Sequence, residues 1–158
     1  MNIALVFFSH MGHTKKAGEA VAGQLTAEGH HVNIFGIQPK EKLNLRAEEV
    51  EIKNQPEISS FDVLILGTPV HGGRMSAPIF TFLDQMPIVN GLRTVLLLTH
   101  FFRKEWGALQ TIQSLEVLCK TKGLDVLGYA NVKWFSFYRN RNIQRAVEKV
   151  QTIIYNLY

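Results

Sequence analysis

Apolar runs alternate with amphipathic stretches along the chain, and each has the length of one structural element. Ile3–Phe8 is apolar throughout and reads as a buried strand. Ser9–His13 follows, then a helix from Thr14 to about Glu28. Helical spacing sets Ala17, Ala20, Val21 and Leu25 on one face and turns Lys15, Lys16 and Glu19 away from it. Gly29 ends that helix. His31–Ile37, Phe61–Thr68, Thr94–Thr99 and Leu124–Val132 read as four further strands. Helices are expected from about Ala77 to Met86, from about Gly107 to Lys122 and from Asn142 to Tyr155. The last carries Ile143, Ala146, Val147, Val150 and Ile154 on one face. Residues 38–60 are charged, with Leu43, Leu45, Val50 and Ile52 as their anchors. They read as a loop with room for one short helix.

Strands that alternate with helices and are apolar without interruption imply a parallel sheet covered on both faces. The expectation is an α/β fold with a doubly wound, five-stranded parallel sheet, and one domain over residues 1–158. In such sheets ligands sit beyond the carboxyl ends of the strands, where the winding reverses. The three most unusual loops follow strands one, three and four, so all three fall at that edge.

Composition narrows the function classes. A chain that is 46% hydrophobic and 19% charged is globular rather than disordered. The net charge of +4 is scattered, with neither the basic stripe nor the motif of a nucleic-acid binder. The single cysteine, Cys119, excludes an internal disulfide or an iron–sulfur cluster held by cysteines alone, and suggests a cytoplasmic protein. It falls among Leu115 and Leu118 and reads as core. The runs Ile3–Phe8 and Val95–Leu98 are too short to span a membrane. His30 and His31 are adjacent at a strand start and point to opposite faces, so no metal site is expected from them.

The first loop, Ser9-His10-Met11-Gly12-His13-Thr14, joins a strand to a helix start. Free backbone N–H groups and the helix dipole favour an anion there. Ser9 and Thr14 add hydroxyls, Gly12 permits an unusual φ, and His10 and His13 could add partial positive charge. The same residues also read as a capped helix with a tight turn. The loop lacks the Gly-Lys-Ser/Thr of a nucleotide-triphosphate loop and the Gly-x-Gly-x-x-Gly of a dinucleotide site. The second loop is Gly67-Thr68-Pro69-Val70-His71-Gly72-Gly73-Arg74-Met75-Ser76-Ala77-Pro78. Its glycines let a backbone amide face a flat ligand closely, and such an amide tunes a bound ring. His71 or Met75 could pack against that ring; equally, the glycines could be turn formers. The third loop, Thr99-His100-Phe101-Phe102-Arg103-Lys104-Glu105-Trp106-Gly107, is aromatic and basic, and reads either as a stacking surface or as a partner patch.

Residues Gly67–Pro78 with Phe80-Thr81-Phe82-Leu83-Asp84 resemble the ring-binding loop and helix of flavodoxin-like NAD(P)H-dependent FMN and quinone reductases. The first loop resembles the flavodoxin phosphate loop, Ser/Thr-x-Thr-Gly-x-Thr, at Ser9, Gly12 and Thr14; Met11 stands where a hydroxyl is usual. The resemblance covers the chain in element order and implies strand order 2-1-3-4-5. It further implies FMN, with phosphate on residues 9–14, the ring on Pro69, Val70, His71, Gly72, Gly73, Arg74 and Met75, and the far side of the ring on Thr99, His100, Phe101, Phe102, Trp106 and Gly107. No catalytic acid or base is required, because the flavin does the chemistry. The expected partners are a redox donor and acceptor: NAD(P)H, a quinone, a flavin or a redox protein. A basic chain and the Gly72–Met75 loop favour a reductase over an electron shuttle. A fold retained without its cofactor, as a binding module, is the reading from another class. The cluster Trp134-Phe135-Ser136-Phe137-Tyr138 reads as a core plug or a homodimer contact.

Overall fold

A computed structural model describes residues 1–101, 107–135 and 137–158. The elements run β1 (Asn2–Phe7), α1 (His13–Ala27), β2 (His31–Gly36), β3 (Val63–His71), β4 (Arg74–Met75), α2 (Ala77–Gln85), β5 (Leu92–His100), α3 (Ala108–Thr121), β6 (Leu124–Lys133) and α4 (Arg139–Tyr155). The long strands lie parallel in the order β2-β1-β3-β5-β6, which is 2-1-3-4-5 when the five parallel strands alone are numbered.

Alternation along each strand builds two cores. Ile3, Leu5 and Phe7 face one side with Ile65, Val95 and Leu97, under α1 and α4. Ala4 and Val6 face the other with Leu64, Leu66, Leu96 and Leu98, against Ile79, Phe82 and Leu83 of α2 and Leu115 of α3. Each fully buried leucine or phenylalanine contributes about 1.5–3 kcal/mol. A charge at Leu5 would be stranded with no partner, so Leu5→Asp is expected to unfold the domain.

Two segments differ from the sequence expectation. The Gly-rich stretch 69–76 is not an open loop. β3 runs on to His71, and β4 folds back antiparallel on it, pairing Val70 with Met75 and His71 with Arg74. The turn needs positive φ at both central residues, and Gly72 (φ 56°) and Gly73 (φ 77°) supply it. The base is pinned by a 3.0 Å contact between the Thr68 and Ser76 hydroxyls and by Ser76 N–H donating to Thr68 Oγ1 at 3.0 Å. The second difference is that residues 38–60 form no helix. A single antiparallel bridge, Pro39 to Ile52, and buried Ile37, Ile52 and Ile58 hold the segment to the domain. Thr81 Oγ1 donates to Val50 O (2.8 Å) and accepts from Val50 N (3.1 Å), and the Gln55 side-chain amide donates to Phe82 O (3.0 Å). Long-range anchors satisfy this backbone where local periodicity does not.

Candidate functional site

β1 ends at Phe7, and the chain crosses the carboxyl edge of the sheet before α1 begins. Gly12 occupies the N-cap in the left-handed region (φ 83°), with no side chain capping the helix. A Cβ there would meet nothing within 4 Å, so conformation rather than crowding selects glycine. The N–H groups of His10, Met11, Gly12, His13 and Thr14 have no acceptor among the described residues. Ser9 Oγ accepts from Lys15 N at 3.2 Å. No acidic residue lies in the first turn. A set of open donors at the positive end of a helix dipole is what a phosphate needs. The donors present therefore fit a phosphate group.

The loop is seated by close approach to β3. A Cβ on Gly67 would lie 2.8 Å from Phe7 Cβ and 3.2 Å from Thr14 Cγ2. Thr14, expected as an open hydroxyl, is buried, and its Oγ1 shares a 2.7 Å hydrogen bond with Thr99 Oγ1 at the end of β5. Met11 is 68% exposed, although it also lines the cleft.

Ser9, His10, Met11, His13, Thr14, Pro69, Val70, His71, Thr99, His100, Phe101 and Trp134 line one cleft at this edge, so the three expected loops do converge. Gly107 joins them from the far side: a Cβ on it would come within 2.7 Å of Gly73 Cα, so the end of the third loop rests on the hairpin turn. Gly72 has open space beside it. Arg74 points outward to Glu48 (3.0 Å) in an exposed pair. Phe102 and Trp106 lie outside the described residues.

Two histidines have their pKa values lowered. Burial, and then the Arg139 guanidinium, push His13 below its usual value. Burial, and then neighbouring His10, do the same to His71. The His71 ring stands edge-on to His10 (6.3 Å) and Phe8 (6.5 Å). The His13 ring stacks on Trp134 at 4.2 Å and meets Phe101 at 5.0 Å.

Trp134 and Arg139 are the residues that sequence reasoning missed at this site. The aromatic cluster after β6 splits: Trp134 is buried in the cleft wall, with Arg139 lying 5.2 Å over its ring, while Phe135, Phe137 and Tyr138 are exposed. The usable signal was position, since Trp134 falls one residue past β6 at the same carboxyl edge. Cys119 is core as expected, its thiol pushed up to about 12 by burial and by Glu116, so it is not a nucleophile.

A doubly wound parallel sheet with an anion-ready first loop and a Gly-Gly hairpin beside it is a flavodoxin-type architecture. The profile of the NADPH-dependent FMN reductase family matches residues 1–114, and the chain belongs to that family. It is an FMN-binding redox protein. Solved structures agree on the fold. A flavodoxin from Streptococcus pneumoniae TIGR4 superposes with a TM-score of 0.71 at 15% identity, covering 99% of both chains. Flavodoxin 1 from Bacillus cereus gives 0.70 at 12%, covering all of both. A flavodoxin-like WrbA-like protein from Agrobacterium tumefaciens gives 0.63 at 18%, covering 96% of this chain and 98% of its own. Among the described residues no helix is long and apolar enough to cross a membrane.

Proposed function

We propose that this chain is an FMN-dependent oxidoreductase that takes reducing equivalents from NAD(P)H and delivers them to a quinone or a similar small acceptor. The observation that carries this reading is the rigid Gly72–Gly73 hairpin set beside five open N–H donors at one sheet edge. FMN, when bound, supplies the redox chemistry.

The residues divide the work of holding it. The N–H groups of residues 10–14, with Ser9, hold the phosphate, and Gly12 gives the loop its turn. Arg139 adds positive charge at the same end, and that charge disfavours a second one on His13. Thr14 acts on the phosphate loop indirectly, fixing it to β5 through Thr99. The hairpin Pro69–Met75 presents backbone and the His71 edge to the ring. Thr99, His100, Phe101 and Gly107 close the other side, and Phe102 and Trp106 belong to the same proposal on sequence grounds. The cleft encloses only about 40 Å³, against about 300–1,000 Å³ for ligand pockets in general. The stacked rings of Phe101, His13 and Trp134 line that cleft, and seating the flavin calls for more room than they leave.

Burial lowers the pKa of half-buried His71, which disfavours a formal charge on that side of the ring. The mildly basic surface steers an anionic reductant rather than repelling it. Steady-state NAD(P)H oxidation by the FMN-loaded protein, with and without a quinone, tests the reading. Turnover that rises with quinone concentration is the expected result. FMN binding without any NAD(P)H oxidation would leave an electron shuttle in its place, and no FMN uptake would leave a binding module.

A further inference from the structure

β6 closes one side of the sheet, with β5 along one flank and no strand along the other among the described residues. Beside that open edge, Asn131 and Lys133 of β6 and Asn142, Arg145 and Lys149 of α4 line a groove of about 240 Å³. It shares no lining residue with the cleft. We infer that this groove docks an extended, acidic segment of a partner protein, which adds to β6 as a further strand. The inference is independent of the reductase reading above.

Charge decides what the groove takes. No acid lines it, and its three cations form no ion pair among the described residues. Arg141 extends the set, so cations recur at 141, 145 and 149, four apart on one face of α4. Like charges at that spacing repel, so the stability of the helix does not explain them. Glu148, the one acid of α4, accepts instead from the Gln144 side-chain amide at 3.3 Å. Lys149 lies 4.6 Å over the Tyr129 ring, which holds the end of the basic face against the edge strand. Scattered along the chain, these charges are gathered by the packing of α4 on β6. An acidic segment complements them.

Backbone direction decides how the occupant sits. Trp134 N–H donates to His100 O at 2.8 Å, back toward β5. N–H groups alternate sides along a strand, so those of Asn131 and Lys133 face outward. No acceptor outside the sheet meets either one among the described residues. The Lys133 carbonyl faces the same way and accepts from Asn142 Nδ2–H at 3.0 Å. An open edge of this kind receives an added strand. If that strand alternates acidic and apolar residues, every acidic side chain falls on one face, the face toward α4. A second copy of this chain would bring the same cations to the edge and be repelled. A nucleic acid would satisfy the cations but cannot continue the ladder.

The test is fluorescence anisotropy of the full chain with a labelled, end-blocked peptide of Val-Glu repeats. A Pro-Glu repeat of the same charge cannot pair as a strand and serves as the backbone control. Oligothymidylate of equal charge is the nucleic-acid control. The expected result is that the Val-Glu peptide binds, and that Arg145→Glu with Lys149→Glu weakens it about tenfold or more. Both side chains are exposed, so the melting temperature of the variant should stay near that of the parent. With peptide bound, the Asn131 and Lys133 amides should exchange with solvent more slowly, which charge attraction alone would not cause. Absence of Val-Glu binding at about millimolar peptide, or binding untouched by the charge reversal, would overturn the docking groove. Pro-Glu bound as tightly as Val-Glu, with no gain in amide protection, would overturn strand addition. Oligothymidylate bound more tightly than Val-Glu would overturn the acidic segment in favour of a nucleic acid.

Discussion

The hydroxyls of Thr14 and Thr99 meet at 2.7 Å in the buried floor of the cleft, tying the first turn of α1 to the end of β5. Neither side chain is more than 3% exposed. Removing one hydroxyl strands the other without water, which costs about 1–3 kcal/mol. Thr14→Val is therefore expected to lower the stability of the apoprotein by that amount in urea titrations. Adding Thr99→Val should recover most of it, since two apolar groups of similar shape leave no orphan. On the proposed role of the Thr14 hydroxyl, which is fixing the loop to β5 and not touching phosphate, FMN and riboflavin affinities should fall together. A loss confined to FMN would restore Thr14 to direct phosphate contact.

Gly73→Val forces a β-branched residue to φ 77°, a strain of about 1–3 kcal/mol. Gly107→Ala acts on the same turn from outside, pushing a methyl into Gly73. Both variants are expected to weaken FMN about tenfold or more, while the apoprotein stays folded and its melting temperature falls only by the several degrees that such strain costs. Paired thermal melts and FMN titrations decide this. A collapsed apo melting temperature with normal FMN affinity in the folded fraction would make the turn purely structural.

Arg139 lies over Trp134 and close enough to His13 to depress its protonation. Arg139→Gln is expected to raise the His13 pKa, read by the imidazole proton shifts. It should also weaken FMN more than riboflavin, because only FMN carries the phosphate. The difference should shrink as salt is added. Equal effects on the two flavins would remove Arg139 from the phosphate site.

His13 and His71 both titrate below the ordinary 6.5. Around and below that pH the unfolded chain binds more protons than the folded one, so stability rises with pH across this window. It is lost as pH falls from 6.5 toward the lowered folded values. The urea midpoint of the apoprotein should therefore drop between about pH 7.5 and about pH 5.5, and His71→Phe should flatten part of the drop. A variant with the same slope as the parent would show that His71 does not contribute.

The parallel sheet was legible because buried parallel strands are apolar on both faces, while its order followed only from the family resemblance. Ile3–Val6, Val63–Leu66 and Val95–Leu98 are such runs, and all are fully buried. The turn from β1 into α1 was legible because Gly12 stands between a strand and a helix, where only a few conformations connect them. The hairpin was half legible: Gly72-Gly73 signalled a turn, yet β4 is two residues long and carries no periodicity to read. The absence of a helix in 38–60 was not legible, since its conformation follows from partners in α2 and β2.

By itself the sequence determined the elements, the winding of the sheet and the edge at which chemistry gathers, because these follow from local periodicity and from glycine conformations. Tertiary structure alone decided which side chains meet. Thr14 and Thr99 are 85 residues apart and share a hydrogen bond. Trp134 comes forward from the end of β6 to stack on His13, and segment 43–49 folds over the hairpin to make a pocket. Contacts of that kind depend on how distant surfaces fit when packed. A side chain's neighbours across the sheet leave no periodic trace along the chain.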